Sequence, residues 1–292
     1  MDEFNPGNGT YGNCLAPFTA VDIFYFCLCS ACGLLAILLN SIIIFTISKS
    51  HSLRQNPSHY VLWSLCVADL TVGLVLSPVL SHIYASCQYT SADDIFFIQN
   101  MVSTTFSMSA VTLDRYAYIR WPLKYELYAT NSRYWCAIFM VWVSSAAFAM
   151  PVLFLSEDDI VVLWLTVTST TLILPFSIIM VSYAHIVAIS RNRISVTYNA
   201  CSTEGQNRLQ SSLRNSKAAK TFAIIAGTFL LTFGPNCVLS IYTYLTNTEE
   251  DLENLWLWLT LLIFISAIAN PLIYTMRNRE LRRAVKRIMR LP

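Results

Sequence analysis

Seven apolar stretches, each long enough to cross a bilayer as a helix, constrain this chain more than any other feature. A membrane span needs about 20 mostly apolar residues. Seven of them leave only short connections in 292 residues, of which 55% are hydrophobic and 12% charged. Continuous apolar runs favour helices over the alternating strands of a membrane barrel. The sequence therefore predicts an all-α membrane protein, a seven-transmembrane helix bundle, with stretches at about 20–48, 58–84, 94–119, 132–154, 160–190, 217–246 and 254–276.

The end of the chain carries a different pattern. Between Arg277 and Arg290, apolar residues recur at helical spacing among seven Lys and Arg residues. A basic amphipathic helix of this kind lies on an anionic membrane surface. We therefore expect three parts: an extracellular tail at 1–19, the membrane domain at 20–276, and an amphipathic cytoplasmic eighth helix with a short tail at 277–292.

The distribution of charge predicts the orientation. All 19 Lys and Arg residues fall in the first, third and fifth connections and the tail, which share one side of the bundle. Because cytoplasmic loops are enriched in Lys and Arg, this side is predicted to face the cytoplasm of a plasma-membrane protein. The opposite side carries twelve acids and no base. Asn8-Gly9-Thr10 is a glycosylation sequon on that side, so glycosylation at Asn8 is expected.

One carboxylate, Asp69, lies deep inside an apolar stretch. A central carboxylate costs at least about 2.5–3.5 kcal/mol, so it signals function by default. Two interpretations stay open. In the first, a protonated or water-bonded Asp69 holds helices together. In the second, Asp69 closes a monovalent-cation site, for example for sodium, with Thr104 and Ser266. Asn40 and Asn270 complete the polar core, and no other metal or cofactor is expected.

Two motifs lie at the predicted cytoplasmic boundary. Asp114-Arg115-Tyr116 ends the third stretch, and its extension to Tyr125 makes the motif far more specific. An arginine here pairs with its neighbouring carboxylate at rest and moves to a new partner when helices separate, which suits a switch. The last stretch ends in the run from Asn270 to Tyr274, whose proline loosens the helix.

With these segments in order, the chain resembles a rhodopsin-like G-protein-coupled receptor. The resemblance covers all seven stretches, and its nearest branch is the one that holds melanocortin, adenosine, cannabinoid and lysophospholipid receptors. The segment from Lys217 to Ile225 is similar to the sixth helix of adenosine receptors. The short connection near 154–160 is similar to that of melanocortin receptors. The residues that match the family motifs are Asn40, Asp69, Asp114, Arg115, Tyr116, Trp142, Pro175, Tyr183, Phe229, Pro235, Asn270 and Tyr274.

The resemblance implies a ligand pocket at the extracellular end. Phe97 stands where monoamine receptors keep an Asp, which disfavours a biogenic amine. Phe264 stands where opsins keep the retinal Lys, which excludes a Schiff base, and Ser240 replaces the Asn that adenosine receptors use. The implied ligand-binding residues are Asp94, Phe97, Ile98, Met101, Val167, Thr168, Thr171, Phe233, Asn236, Cys237, Ser240, Thr260 and Phe264.

The acids of the outer side favour a cationic ligand. Twelve acids without a base attract and steer cations, so a basic peptide or a cationic small molecule is the leading expectation. The floor of the implied pocket is apolar, so a lipid-like ligand is an alternative. A nucleoside-like ligand is a further alternative. A non-signalling decoy receptor is also possible, although Arg115 and Leu123 argue against it.

The resemblance also implies partners at the cytoplasmic side. The switch and the contacts to a heterotrimeric G protein would involve Asp114, Arg115, Tyr116, Leu123, Tyr183, Pro235 and Tyr274. The tail after Met276 contains no Ser or Thr, so arrestin would depend on phosphorylation of the third inner loop. Membrane lipids are expected partners, and nucleic acid is not.

Three departures from the family qualify these expectations. Thr90 replaces the Cys of the common disulfide, so either Cys14 and Cys87 form another bridge or both are free thiols. Phe233 replaces the sixth-helix Trp and becomes the expected toggle. Asn215 stands where many relatives have a Glu that pairs with the Arg of the motif, so raised basal activity is expected.

Other functional classes fit the sequence less well. A transporter usually shows internal repeats and several intramembrane charges, whereas this chain has one such charge and no detectable repeat. No nucleophile motif or metal-spaced cluster indicates an enzyme. The sequence therefore predicts a receptor.

Overall fold

The protein is described from a computed structural model, which covers residues 9–10, 19–86, 88–197, 203–246 and 253–289. Within these ranges Gly9–Thr10 (β1) pairs antiparallel with Gln88–Tyr89 (β2). A π-helical turn, Val72–Leu76, joins the helices Ser58–Thr71 and Ser77–Ser86, and a 3-10 turn, Met150–Leu153, extends the helix Asn131–Ala149. The helices are α1 (Ala20–Lys49), α2 (His51–Gln55), α3 (Ser58–Thr71), α4 (Ser77–Ser86), α5 (Ser91–Arg120), α6 (Pro122–Tyr128), α7 (Asn131–Ala149), α8 (Glu157–Thr197), α9 (Thr203–Thr246), α10 (Glu253–Arg277) and α11 (Arg279–Ile288).

Seven long helical segments form the bundle, as the sequence predicts. Six of them, within the described ranges, are long and apolar enough to cross a membrane, and each overlaps a predicted stretch. The remaining predicted stretch, 94–119, is α5, whose 30 residues span about 45 Å but are less apolar. The six are Ala20–Lys49, Ser58–Leu80, Asn131–Leu153, Asp159–Ala188, Ile224–Thr246 and Trp258–Arg277.

The central position of α5 explains its polar composition. It packs against α3, α7 and α8, and 15 of its 30 residues are buried, compared with 8 of 30 in α1. A helix surrounded by protein does not need a wide apolar face toward lipid. It therefore carries the Ser, Thr and Asp side chains of the site on its buried faces.

Helix N-termini collect acids at one end of the bundle, which we call the acidic end. Asp22 lies in the first turn of α1, Asp93 and Asp94 lie in the first turn of α5, and Asp159 is the third residue of α8. The helix dipole favours acids at N-termini and bases at C-termini. The bases that end α1, α5 and α10, at what we call the basic end, are Lys49, Arg120 and Arg277.

The predicted eighth helix forms as α11, at the basic end. The Oδ1 atom of Asn278 accepts hydrogen bonds from the backbone N–H groups of Glu280 and Leu281, at 3.0 and 3.2 Å, and so caps the helix. Leu281 is fully buried in the main core. The Ser52 hydroxyl donates to Glu280 Oε1 at 2.7 Å, which ties α11 to the connection after α1. The all-α bundle with an eighth helix is confirmed, and the domain boundaries stay predictions.

Candidate functional site

The polar core predicted around Asp69 exists in the middle of the bundle. Asp69 is fully buried, and its Oδ2 accepts a hydrogen bond of 2.9 Å from Asn270 Nδ2. Asn40 Nδ2 donates to the backbone oxygen of Ala267 at 3.0 Å. These two bonds connect α3 and α1 to α10. The structure therefore joins Asp69 and Asn270 directly and ties Asn40 to the same helix.

The same core contains several buried polar atoms without hydrogen-bond partners in the described part of the chain. The Thr104 hydroxyl interacts electrostatically with Asp69 but does not reach hydrogen-bonding geometry. Unpaired buried polar groups are costly, so an ion or ordered water usually satisfies them. These oxygens therefore fit a small hard cation, which prefers such ligands. The unpaired atoms are Asn40 Oδ1, Asp69 Oδ1, Thr104 Oγ1, Ser266 Oγ and Asn270 Oδ1.

The switch motif lies where α5 reaches the basic end. Arg115 Nε lies 3.7 Å from Asp114 Oδ2, and the Arg115 side chain is 35% exposed. Charge-assisted hydrogen bonds are usually about 2.7–2.9 Å long, so this ion pair is loose. Arg115 is therefore available to a partner that approaches the basic end.

Two tyrosines hold the other oxygen of Asp114. The hydroxyls of Tyr125, in α6, and Tyr134, in α7, both donate to Asp114 Oδ1, the first at 2.6 Å. The two hydroxyls are 2.8 Å apart. Burial, the negative charge of Asp114 and the hydrogen bond to it raise the pKa of Tyr125 to about 12, so this phenol stays a donor at physiological pH.

The remaining predicted switch residues surround this end with less direct contact. The Tyr116 hydroxyl hydrogen-bonds His185 Nδ1 at 2.8 Å and so joins α5 to α8. Tyr274 is buried, and its hydroxyl has no hydrogen-bond partner among the described residues. Tyr183 is half-buried on α8. The backbone of Leu123 lies in α6, but its side chain lies outside the described part.

Most of the predicted ligand-binding residues are buried toward the acidic end. Ile98, Phe233 and Phe264 are nearly inaccessible, and Phe233 stacks on Phe229 with ring centroids 5.1 Å apart. Phe97 and Thr260 are half-buried. The other buried members are Met101, Val167, Thr168, Thr171, Asn236, Cys237 and Ser240.

Many polar side chains among these residues donate hydrogen bonds to backbone oxygens of the helices. The hydroxyls of Thr171, Ser240 and Thr260 each donate to a backbone oxygen four residues earlier, at 2.8–3.0 Å. Asn236 Nδ2 donates to Thr232 O at 3.2 Å and Leu259 O at 3.3 Å. The lining of the candidate pocket is therefore chemically more apolar than its residue types suggest.

The described acids at the acidic end are engaged by neighbouring donors. Asp22 accepts hydrogen bonds from Thr19, and Asp93 from Thr90, in each case from the backbone N–H and the hydroxyl at 2.7–2.8 Å. The other pairs are Ser156 Oγ to Asp159 at 2.7 Å and Trp164 Nε1 to Asp94 at 2.6 Å.

Thr90, which replaces the family's Cys, therefore has a structural role as the N-cap of α5. Asn8, Cys14 and Cys87 lie outside the described residues. The β1–β2 pairing places Thr10 opposite Gln88, next to Cys87 in sequence. This pairing is compatible with a Cys14–Cys87 bridge, which stays a prediction, as does glycosylation of Asn8.

Two residues of the site were missed by the sequence reasoning. Tyr134 lies 20 positions from Asp114, and Trp164 lies 70 positions from Asp94. The sequence showed no sign of the first contact. It showed no sign of the second contact either, because that contact depends on how α8 packs on α5.

Comparison with known proteins agrees with the bundle and its motifs. The family model described as 7 transmembrane receptor (rhodopsin family) matches residues 39–274. Human cannabinoid receptor 2 is 25% identical over 87% of this chain and 75% of its own length. Human adenosine receptor A2a is 25% identical over 89% and 70%. The pufferfish (Takifugu rubripes) cannabinoid receptor type 1B is 23% identical over 86% of this chain but only 60% of its own length.

These matches confirm the predicted resemblance to the rhodopsin-like receptors. They also agree with the predicted branch, in which cannabinoid and adenosine receptors were named. The family model covers the chain from α1 to α10, and includes Asn40, Asp69, Arg115 and Tyr274. A multi-pass membrane receptor is a signalling protein and not an enzyme, as predicted. The chain belongs to the rhodopsin family of seven-transmembrane receptors.

Proposed function

We propose that this protein is a plasma-membrane receptor that activates heterotrimeric G proteins when a ligand binds at its acidic end. The observation that carries the proposal is the state of Arg115. It lies at the basic end of the central helix, one-third exposed, and only a 3.7 Å contact holds it to Asp114. Its exposure argues against a decoy. The basic end would lie in the cytoplasm, where Lys and Arg are enriched. Arrestin would be recruited through the third inner loop.

The loose ion pair implies a measurable basal signal. Asn215→Glu is expected to lower basal cyclic AMP or inositol phosphate signalling by about tenfold, because many relatives have at this position a Glu that pairs with the Arg of the motif. Asn215→Gln, with the same length and no charge, is the control and should leave the signal near that of the wild type. If cells expressing the wild type show no basal signal in either pathway, the expectation of raised basal activity is wrong.

We infer that the ligand is apolar and largely uncharged, in preference to a basic peptide. The described acids of the acidic end are used by helix caps and by Trp164. The residues beneath them present aromatic and aliphatic surface. A pocket at these residues would therefore offer mainly apolar area, and the described carboxylates above it already accept hydrogen bonds from the protein. Relatives named as cannabinoid receptors support a lipid-like ligand, and the relative named as an adenosine receptor keeps a nucleoside-like one as second candidate.

Asp94→Asn separates the two ligand classes. Cells expressing wild type or variant are exposed to neutral lipids of graded chain length and to Lys- and Arg-rich peptides of matched size. We expect the neutral lipids to stimulate both receptors with potencies within about threefold, because asparagine keeps an oxygen that can accept the Trp164 N–H and a neutral ligand has no charge to pair with Asp94. Stimulation by the peptides, abolished by Asp94→Asn, would show that Asp94 anchors a cation and would overturn the apolar assignment.

We also propose that the core around Asp69 binds sodium. Asp69, Thr104 and Ser266 would hold the ion, and Asn40 and Asn270 would orient the shell. The ion would supply positive charge that stabilises one arrangement of α3, α5 and α10. The competing interpretation, in which Asp69 only joins helices, is supported by its bond to Asn270 but leaves five buried oxygens of this core unsatisfied.

Sodium is expected to raise the melting temperature of the purified receptor. With sodium at about ten times its dissociation constant, linkage contributes about 1.4 kcal/mol, which corresponds to about 3–6 °C. Thermal unfolding is measured in sodium chloride and in choline chloride at equal ionic strength. Asp69→Asn should remove the difference between the two salts. Equal melting temperatures of the wild type in both salts would favour the helix-joining interpretation.

A further inference from the structure

Tyr134 does not belong to the motifs that identify this receptor, yet it contacts the carboxylate beside Arg115. Its hydroxyl donates to Asp114 Oδ1 and lies 2.8 Å from the hydroxyl of Tyr125. Tyr125 donates to the same oxygen at 2.6 Å. One carboxylate oxygen therefore receives two phenolic donors, one from α6 and one from α7.

The Asp114 carboxylate holds Arg115 more weakly than it holds the two tyrosines. Its Nε atom is 3.7 Å from Asp114 Oδ2, and Oδ2 is buried without a hydrogen-bond partner among the described residues. An arginine that faces a free carboxylate usually binds both of its oxygens in a planar fork. Here the second oxygen is already occupied, so the fork does not form.

We infer that Tyr134 is a positioning residue that competes with Arg115 for Asp114 and so sets how readily Arg115 is released. The consequence for signalling rests on the proposed function, because it requires Arg115 to engage a G protein. With both phenols bound, the carboxylate is oriented toward α6 and α7. With the Tyr134 hydroxyl removed, the carboxylate can rotate and form the two-oxygen pair with Arg115.

Tyr134→Phe tests this competition, because it removes only the hydroxyl and keeps the ring. Tyr128→Phe is the matched control. Tyr128 is at the same end of the bundle, its side chain is exposed, and its ring contacts the Arg133 guanidinium at 5.1 Å. The Tyr128 hydroxyl takes no part in the Asp114 cluster, so its loss should leave Arg115 unchanged.

The direct readout is the reactivity of Arg115 toward phenylglyoxal in the purified receptor, followed by mass spectrometry with Arg120 as internal reference. A guanidinium in a tight two-oxygen pair reacts more slowly than a loosely held one. We expect modification of Arg115 to slow by about tenfold in Tyr134→Phe, the equivalent of one charge-assisted hydrogen bond. A merely structural role for Tyr134 would loosen this end and speed the reaction. An unchanged or faster rate overturns the inference.

The signalling readout is GDP release from purified G protein, measured with the same variants and with Asp114→Ala. Tyr134→Phe should lower basal release, and should have no effect in the Asp114→Ala background, where no carboxylate remains to be shared. A decrease in both backgrounds would assign Tyr134 to the G-protein surface and overturn the inference. Slower phenylglyoxal modification together with no release by the wild type would support the Tyr134 inference while contradicting the proposed function.

Discussion

Replacing Gly73 by alanine is expected to lower the melting temperature of the receptor by about 5–10 °C, the effect of about 2–3 kcal/mol of overpacking. A Cβ atom at this position would lie 2.5 Å from the backbone oxygen of Gly33 and 2.6 Å from Ile37 Cγ1. The Gly33 oxygen belongs to the backbone of α1 and cannot rotate away. The π-helical turn and α1 must therefore separate.

Two other glycines provide a graded control for this prediction. A Cβ at Gly33 would meet the Cβ and Oγ of Ser77 at 3.0 Å, a side chain of the neighbouring α4, so a smaller loss is expected for Gly33→Ala. At Gly227 a Cβ would meet nothing within 4 Å, and alanine gains helix propensity. Thermal unfolding in detergent should rank the variants as Gly227→Ala, Gly33→Ala and Gly73→Ala, from most to least stable. Equal stability of the three would contradict the close packing of α1 on the π-helical turn.

Arg115→Ala is expected to reduce basal signalling to the level of cells that lack the receptor. The guanidinium is partly exposed where α5 reaches the basic end, and Asp114 holds it weakly. An arginine at the centre of an interface contributes 2 kcal/mol or more, which corresponds to a loss of about thirtyfold. The measurement is basal second-messenger production, normalised to the amount of receptor at the cell surface.

Arg120→Ala is the control for this second prediction. Arg120 lies five residues later on the same helix and stacks over the Trp121 ring at 5.5 Å, so it is held by a different contact. It should retain most of the basal signal. If the two variants lose signal equally, general positive charge at the basic end matters and Arg115 has no special role.

The sequence predicts the bundle well because each span carries its own local signal. Apolar length locates all seven spans, although the signal is weakest for α5, because protein and not lipid surrounds this helix. The proximity of Asp69 and Asn270, 201 positions apart, was expected because both are polar residues inside apolar stretches, and the family resemblance supports it. Hydropathy contains no information about which spans pack together.

The acids of the outer side were harder to interpret from sequence. Their number favours a cationic ligand when only charge is considered. The structure shows that Asp22, Asp93 and Asp159 each accept a hydrogen bond from a hydroxyl three residues earlier. The pattern Ser or Thr followed three residues later by an acid is a capping signal and is visible in the sequence. These acids keep their negative charge, but a count of charges does not show which carboxylate oxygens already accept hydrogen bonds from the protein.

Contacts between distant side chains could not be predicted from the sequence at all. Trp164 and Tyr134 have no special spacing relative to Asp94 and Asp114, and their role depends on how α8 and α7 pack on α5. Such contacts decide the chemistry of the site, because they determine whether a carboxylate is free for a ligand or already used. The structure supplies these contacts, and the ligand class proposed here follows from them.

Reconstitution of the purified receptor in lipid nanodiscs with purified heterotrimeric G proteins tests the central claim most directly. The quantity to measure is the rate of GDP release from each G-protein subtype, with wild-type receptor, with Arg115→Ala and without receptor. We predict that the wild type accelerates release from at least one subtype without any ligand and that Arg115→Ala does not. Equal rates with and without the wild-type receptor, for every subtype and in the presence of neutral lipids, would contradict the assignment as a G-protein-activating receptor.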